Sequence, residues 1–79
     1  MSDTYREVAA EVRASLARAN LSGAKAATRL GWKQQYISRR LSGNVPFDVS
    51  ELLALADLLN MQVTDFFRAF SSDSRKKLT

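Results

Sequence analysis

The stretch Ser22-Gly-Ala-Lys-Ala-Ala-Thr-Arg-Leu-Gly-Trp-Lys-Gln-Gln-Tyr-Ile-Ser-Arg-Arg-Leu-Ser-Gly43 decides the fold. It reads as two short helices joined by a sharp turn. Ser22 is a good N-cap, because its hydroxyl can take an otherwise unpaired amide of the first turn. The helix it opens covers about Gly23 to Leu30, with Ala26, Ala27 and Leu30 facing inward. Gly31 ends it, since glycine enters the left-handed region without a Cβ penalty. The next helix runs from about Lys33 or Gln34 to Ser42, buries Ile37 and Leu41, and closes at Gly43. Two helices that cross closely need a small residue in the first, a glycine at the bend and an aliphatic anchor in the second. Ala27, Gly31 and Ile37 supply these in order, and Gln34, Gln35, Ser38 and Arg39 are left for another surface.

Working outward, Tyr5, Val8, Val12, Leu16 and Ala19 recur at helical spacing and predict a first helix from about Thr4 to Ala19. Ser2 or Asp3 would cap it and Asn20 would end it in a left-handed turn. Beyond the central pair, Asn44-Val-Pro-Phe47 is a loop, because Pro46 lacks a donor and disfavours helix at Val45. Asp48-Val-Ser-Glu51 is a capping box that starts a fourth helix. That helix is expected to turn Leu52, Leu53, Ala56 and Leu59 inward and to stop near Asn60. Thr64 would cap a fifth helix, Asp65 to Phe70, carrying Phe66, Phe67 and Phe70 as core or as a dimer surface. The fold expected is therefore all-α, one five-helix domain over residues 1–70, with the central unit at 22–43. Residues 71–79 read as a short, disordered basic tail.

Composition narrows the chemistry. Seventy-nine residues make one small domain. The absence of cysteine rules out a disulfide framework and thiolate metal sites, and the absence of histidine removes the commonest general base and zinc ligand. No enzyme, cofactor or small-molecule ligand is suggested. The longest apolar run, Leu52 to Leu59, is interrupted by Asp57 and too short to span a membrane. A cytoplasmic protein is expected. Lysine and arginine total 12 against 8 acidic residues, a net charge of +4. The distribution says more. No acidic residue lies between Glu11 and Asp48, while Arg13, Arg18, Lys25, Arg29, Lys33, Arg39 and Arg40 do. One-signed charge on a compact helical hairpin suits a grooved polyanion, with double-stranded DNA the leading partner.

From about Val8 to Phe67 the chain resembles the lambda-repressor-like, or Cro-type, helix-turn-helix family. The likeness rests on the Ser22 entry, Ala27, Leu30 and Gly31, Ile37-Ser38-Arg39, the Ser42-Gly43 exit and the Leu52-to-Phe67 ending. It implies a five-helix DNA-binding domain that places its third helix in the major groove. Carried over, Gln34, Gln35, Ser38 and Arg39 would read base edges, and Ser22, Lys25, Lys33, Tyr36, Arg40 and Asn44 would hold phosphates. Three positions depart from the family. Gly23 stands where a glutamine often helps hold DNA. Leu16 and Leu41 stand where many members pair arginine with glutamate. Arg40 stands where an apolar residue is usual, which would leave it exposed toward phosphate. Tyr36 could equally pack its ring on the helix pair, and Lys25 and Arg29 could be solvated charges on one helix face. Trp32 reads as packing, and Arg75-Lys-Lys77 as a solubilising tail.

The function implied is a sequence-specific DNA-binding transcriptional regulator of phage or bacterial type, a repressor that blocks a promoter by occupying its operator. It could bind as a homodimer. The alternative is an antitoxin-like or adaptor module whose main partner is a protein, favoured by an apolar patch around Phe66, Phe67 and Phe70.

Overall fold

The computed structural model describes residues 4–67. The expected Ser2 or Asp3 cap, Phe70 and the basic tail lie outside them. Within them the chain forms α1 (Thr4–Arg18), α2 (Gly23–Leu30), α3 (Gln34–Leu41), α4 (Val49–Leu58) and a 3₁₀ turn, Val63–Phe67, and no strand.

All four helices stop by the same device. Asn20, Gly31, Gly43 and Asn60 each adopt positive φ, at 56°, 74°, 86° and 55°. In each case the next amide donates five residues back: Leu21 to Leu16, Trp32 to Ala27, Asn44 to Arg39 and Met61 to Ala56. The positive-φ residue itself donates to the carbonyl three back, as Gly31 does to Thr28 at 3.2 Å. This Schellman arrangement satisfies carbonyls the helix would otherwise leave open. Glycine reaches it without strain, and asparagine is the side chain that tolerates it best.

The starts are equally local. Ser22 accepts from the Lys25 amide at 3.1 Å, and Asp48 and Glu51 form the full reciprocal box at the head of α4. Starting α4 at Val49 puts Leu52, Leu55 and Ala56 on the buried face with Leu59 at its edge, and turns Leu53 out to 51% exposure. The expectation that Leu53 faces inward is thus corrected, and Leu55 takes its place. At 100° per residue, Leu53 points about 160° away from Leu55, so the two cannot both face the core. In α1, Val8, Ala9, Val12, Ser15 and Leu16 are buried, whereas Ala19 falls beyond the helix and is exposed.

The fifth helix is also corrected: the element is a single 3₁₀ turn that begins at Val63, before Thr64. The Asp65 carboxylate accepts from the Gln62 amide at 3.2 Å, so the local cap folds back from Asp65. Two β-branched residues, Val63 and Thr64, open the element, and β-branched residues are weaker α-helix formers. Tertiary packing holds it instead. Phe66 is fully buried in the hydrophobic core, where its turn packs against α1 and α4. Phe66 is core, not dimer surface.

Candidate nucleic-acid interface

α3 buries one residue, Ile37, has Arg40 and Leu41 half-buried, and turns its other side chains out. Ile37 is the only α3 side chain inside the core, where it meets the alanine face of α2. Gln34, Gln35, Ser38 and Arg39 are all exposed. No described residue accepts a hydrogen bond from the side chains of Gln34, Gln35 or Arg39. The helix stands as a ridge between two open depressions. One, about 250 Å³, is lined by Gly23, Ala24, Gln34, Ile37, Ser38 and Leu41. The other, about 380 Å³, is lined by Lys33, Gln35, Tyr36, Arg39, Arg40 and Val45. The first side presents neutral hydrogen-bonding groups and the second a cluster of cations.

The turn that aims the ridge is Gly31, Trp32 and Lys33. Trp32 is half-buried against the core, and its ring lies 5.4 Å from that of Tyr36, tilted by 58°. Packing thus accounts for Trp32. Lys33 sits at the N-cap position of α3 in extended backbone and makes no side-chain cap. It is exposed, as are Lys25, Arg29 and Asn44. The Ser22 hydroxyl already accepts from Lys25, so an anion at the head of α2 would meet it as a donor.

Two departures from the family pattern acquire physical reasons. A Cβ on Gly23 would lie 3.0 Å from Leu41 Cδ1, so a side chain there would have to push the end of that leucine aside. At the Leu16 and Leu41 positions no charges are buried, which avoids desolvating an ion pair. Leu16 is in the core and Leu41 packs at its edge. The polar tie between α1 and α3 is made one turn earlier, where Arg13 donates to the Leu41 carbonyl. A cation there also opposes the negative end of α3.

Arg40 is the clear correction. It does not stand free over the surface. Its Nε lies 3.1 Å from each Glu51 carboxylate oxygen, and the two side chains are 17% and 7% exposed. Its Nη1 donates to the Tyr36 carbonyl at 3.1 Å, and the guanidinium carbon sits 3.7 Å over the Tyr36 ring. The Tyr36 hydroxyl donates to Glu51 as well. Tyr36 is 38% exposed, but its hydroxyl is committed to Glu51. Sequence reasoning passed over Glu51 as anything but a helix cap. The only signal for a second role was its unusual burial, which the sequence does not display.

Asp48, the other half of the capping box, has its carboxyl pKa lowered from the ordinary aspartate value of 3.8. The Glu51 amide is the main cause, followed by the Ser50 hydroxyl. Among the described residues no group of acidic side chains could hold a metal ion, and no helix is long and apolar enough to cross a membrane.

Compared with known proteins, a family profile described as a helix-turn-helix domain matches residues 7–66. That span runs from the first turn of α1 to Phe66 and agrees with the Cro-type resemblance. No curated protein and no solved structure gives a significant match.

Proposed function

We propose that this chain, which belongs to the helix-turn-helix domain family, is a sequence-specific double-stranded DNA-binding regulator that represses transcription by occupying an operator. The observation that carries the reading is α3 itself. It buries Ile37 and offers two glutamines, a serine and an arginine outward, with no acidic side chain on its own face. Amides match adenine and guanidinium matches guanine in the major groove. Lys33 flanks the ridge, and Lys25 and Arg29 extend the positive field along α2.

Selection of bound fragments from a random duplex pool tests this. The expected result is an enriched motif a few base pairs wide, repeated in inverted orientation about one helical turn apart if two copies bind together. Arg39→Ala should relax preference at one position of that motif and cost about 1–3 kcal/mol on the selected site. A pool that stays random after repeated rounds would remove the regulator reading.

A second reading, the protein-binding adaptor, has one observation in its favour. An apolar depression of about 530 Å³ is lined by Tyr5, Val8, Phe47, Val49, Leu52 and Phe67, and Val49 is 70% exposed at its rim. It predicts a protein complex that forms with α3 substituted, which the regulator reading does not require.

A further inference from the structure

We propose that Glu51 is a positioning residue for DNA readout, one that clamps the outer side of α3 to the head of α4 and takes Arg40 out of phosphate contact. The inference rests on the regulator reading above. Its basis is the number of partners on one buried carboxylate. Oε1 accepts from the Asp48 amide at 2.9 Å, Oε2 accepts from the Tyr36 hydroxyl, and both oxygens lie 3.1 Å from Arg40 Nε. One side chain therefore starts α4 and grips two consecutive turns of α3, at Tyr36 and Arg40.

Ile37 and the edge-packed Leu41 fix the inner side of α3, and Arg13 ties its C-terminal end to α1. The Glu51 contacts at Tyr36 and Arg40 restrain its rotation from another side. Rotation matters because base readout depends on which side chains meet the groove floor, and small misplacement degrades directional hydrogen bonds. The clamp also alters the charge map. Glu51 lies outside the acid-free stretch of sequence, yet the fold brings it onto Arg40, and the pair adds no net charge. The guanidinium is further committed to the Tyr36 ring and carbonyl. Lys33 and Arg39 are thus the cations of this edge that remain open to DNA.

The experiment measures binding of the selected consensus duplex and of a scrambled duplex, across a salt series, for wild type, Tyr36→Phe, Glu51→Gln, Arg40→Gln and Lys33→Ala. Circular dichroism confirms that each is folded, and Tyr36→Phe, which removes one oxygen, is the mildest. Tyr36→Phe and Glu51→Gln are expected to lower the consensus-over-scrambled ratio about tenfold, the worth of one lost charged hydrogen bond. Arg40→Gln should lower the ratio likewise and leave the salt slope at its wild-type value. Lys33→Ala should flatten the slope by about 0.9, one phosphate. A slope flattened by about 0.9 in Arg40→Gln with the ratio intact would make Arg40 a phosphate ligand and overturn the proposal. So would an unchanged ratio in both Tyr36→Phe and Glu51→Gln. If wild type itself shows no preference, the regulator reading falls and takes the clamp's role in readout with it. A wild-type preference that survives the variants overturns the clamp alone.

Discussion

Replacing Gly31 isolates the conformational cost of the turn between α2 and α3. Its φ is +74°, and a Cβ built there would meet nothing within 4 Å. Steric clash with neighbours is therefore absent, and only backbone strain remains. For alanine that strain is about 1–2 kcal/mol. The loss of glycine's extra freedom in the unfolded chain returns about 0.4–1 kcal/mol. Gly31→Ala should thus cost about 1 kcal/mol net, a fall in Tm of roughly 4–8 °C for a domain of this size. Gly31→Asn should cost less, because Asn20 and Asn60 already close α1 and α4 at φ near 55°. Gly31→Val should cost roughly 2–3 kcal/mol, since a branched Cβ resists positive φ most. Urea unfolding followed by circular dichroism measures all three. The ranking asparagine, alanine, valine in rising cost is the signature of strain. Equal losses for asparagine and valine, or an alanine penalty above about 3 kcal/mol, would mean that the side chain collides with something and would refute the argument.

Other outcomes follow from the same geometry. Leu55→Ala should lose about 2–5 kcal/mol by opening a cavity, while Leu53→Ala, on the exposed face, should change unfolding free energy by less than about 0.5 kcal/mol. Lys33→Ala should weaken binding to selected and scrambled duplexes by the same factor, in contrast to Arg39→Ala; a gel-shift titration on both separates them. The lowered Asp48 pKa predicts an acid effect. A carboxyl whose folded pKa lies below its unfolded value contributes stability that is complete above the unfolded value and is lost as pH falls through the folded one. The stability gap between wild type and Asp48→Asn should therefore hold at pH 6 and narrow below about pH 4, read from urea midpoints at each pH. A gap that stays constant down to pH 2 would detach the cap from the charge of Asp48.

Helix ends were the most legible part of this sequence. Ser22, Asp48 with Glu51, Asn20, Gly31, Gly43 and Asn60 act through hydrogen bonds to residues within six positions, so their meaning survives without knowledge of the fold. The same holds for Ile37, whose distance from Gly31 is set by helical geometry. Because α3 is short and buries only Ile37, the exposure of Gln34, Gln35, Ser38 and Arg39 followed from that spacing too.

What lay beyond the sequence were the choices made by partners far along the chain. Whether Arg40 reaches solvent depends on Glu51, eleven residues on, and on the angle at which α4 meets α3. Which leucines of Leu52 to Leu59 face inward depended on the direction of a core that α1 and Phe66 complete. Residues 63–67, expected to lead into a fifth helix, instead form a 3₁₀ turn that buries Phe66 in the core. Local hydrogen-bonding chemistry is written residue by residue. The fate of a charge, or of one face of an apolar helix, is set only when distant segments compete for the same interior.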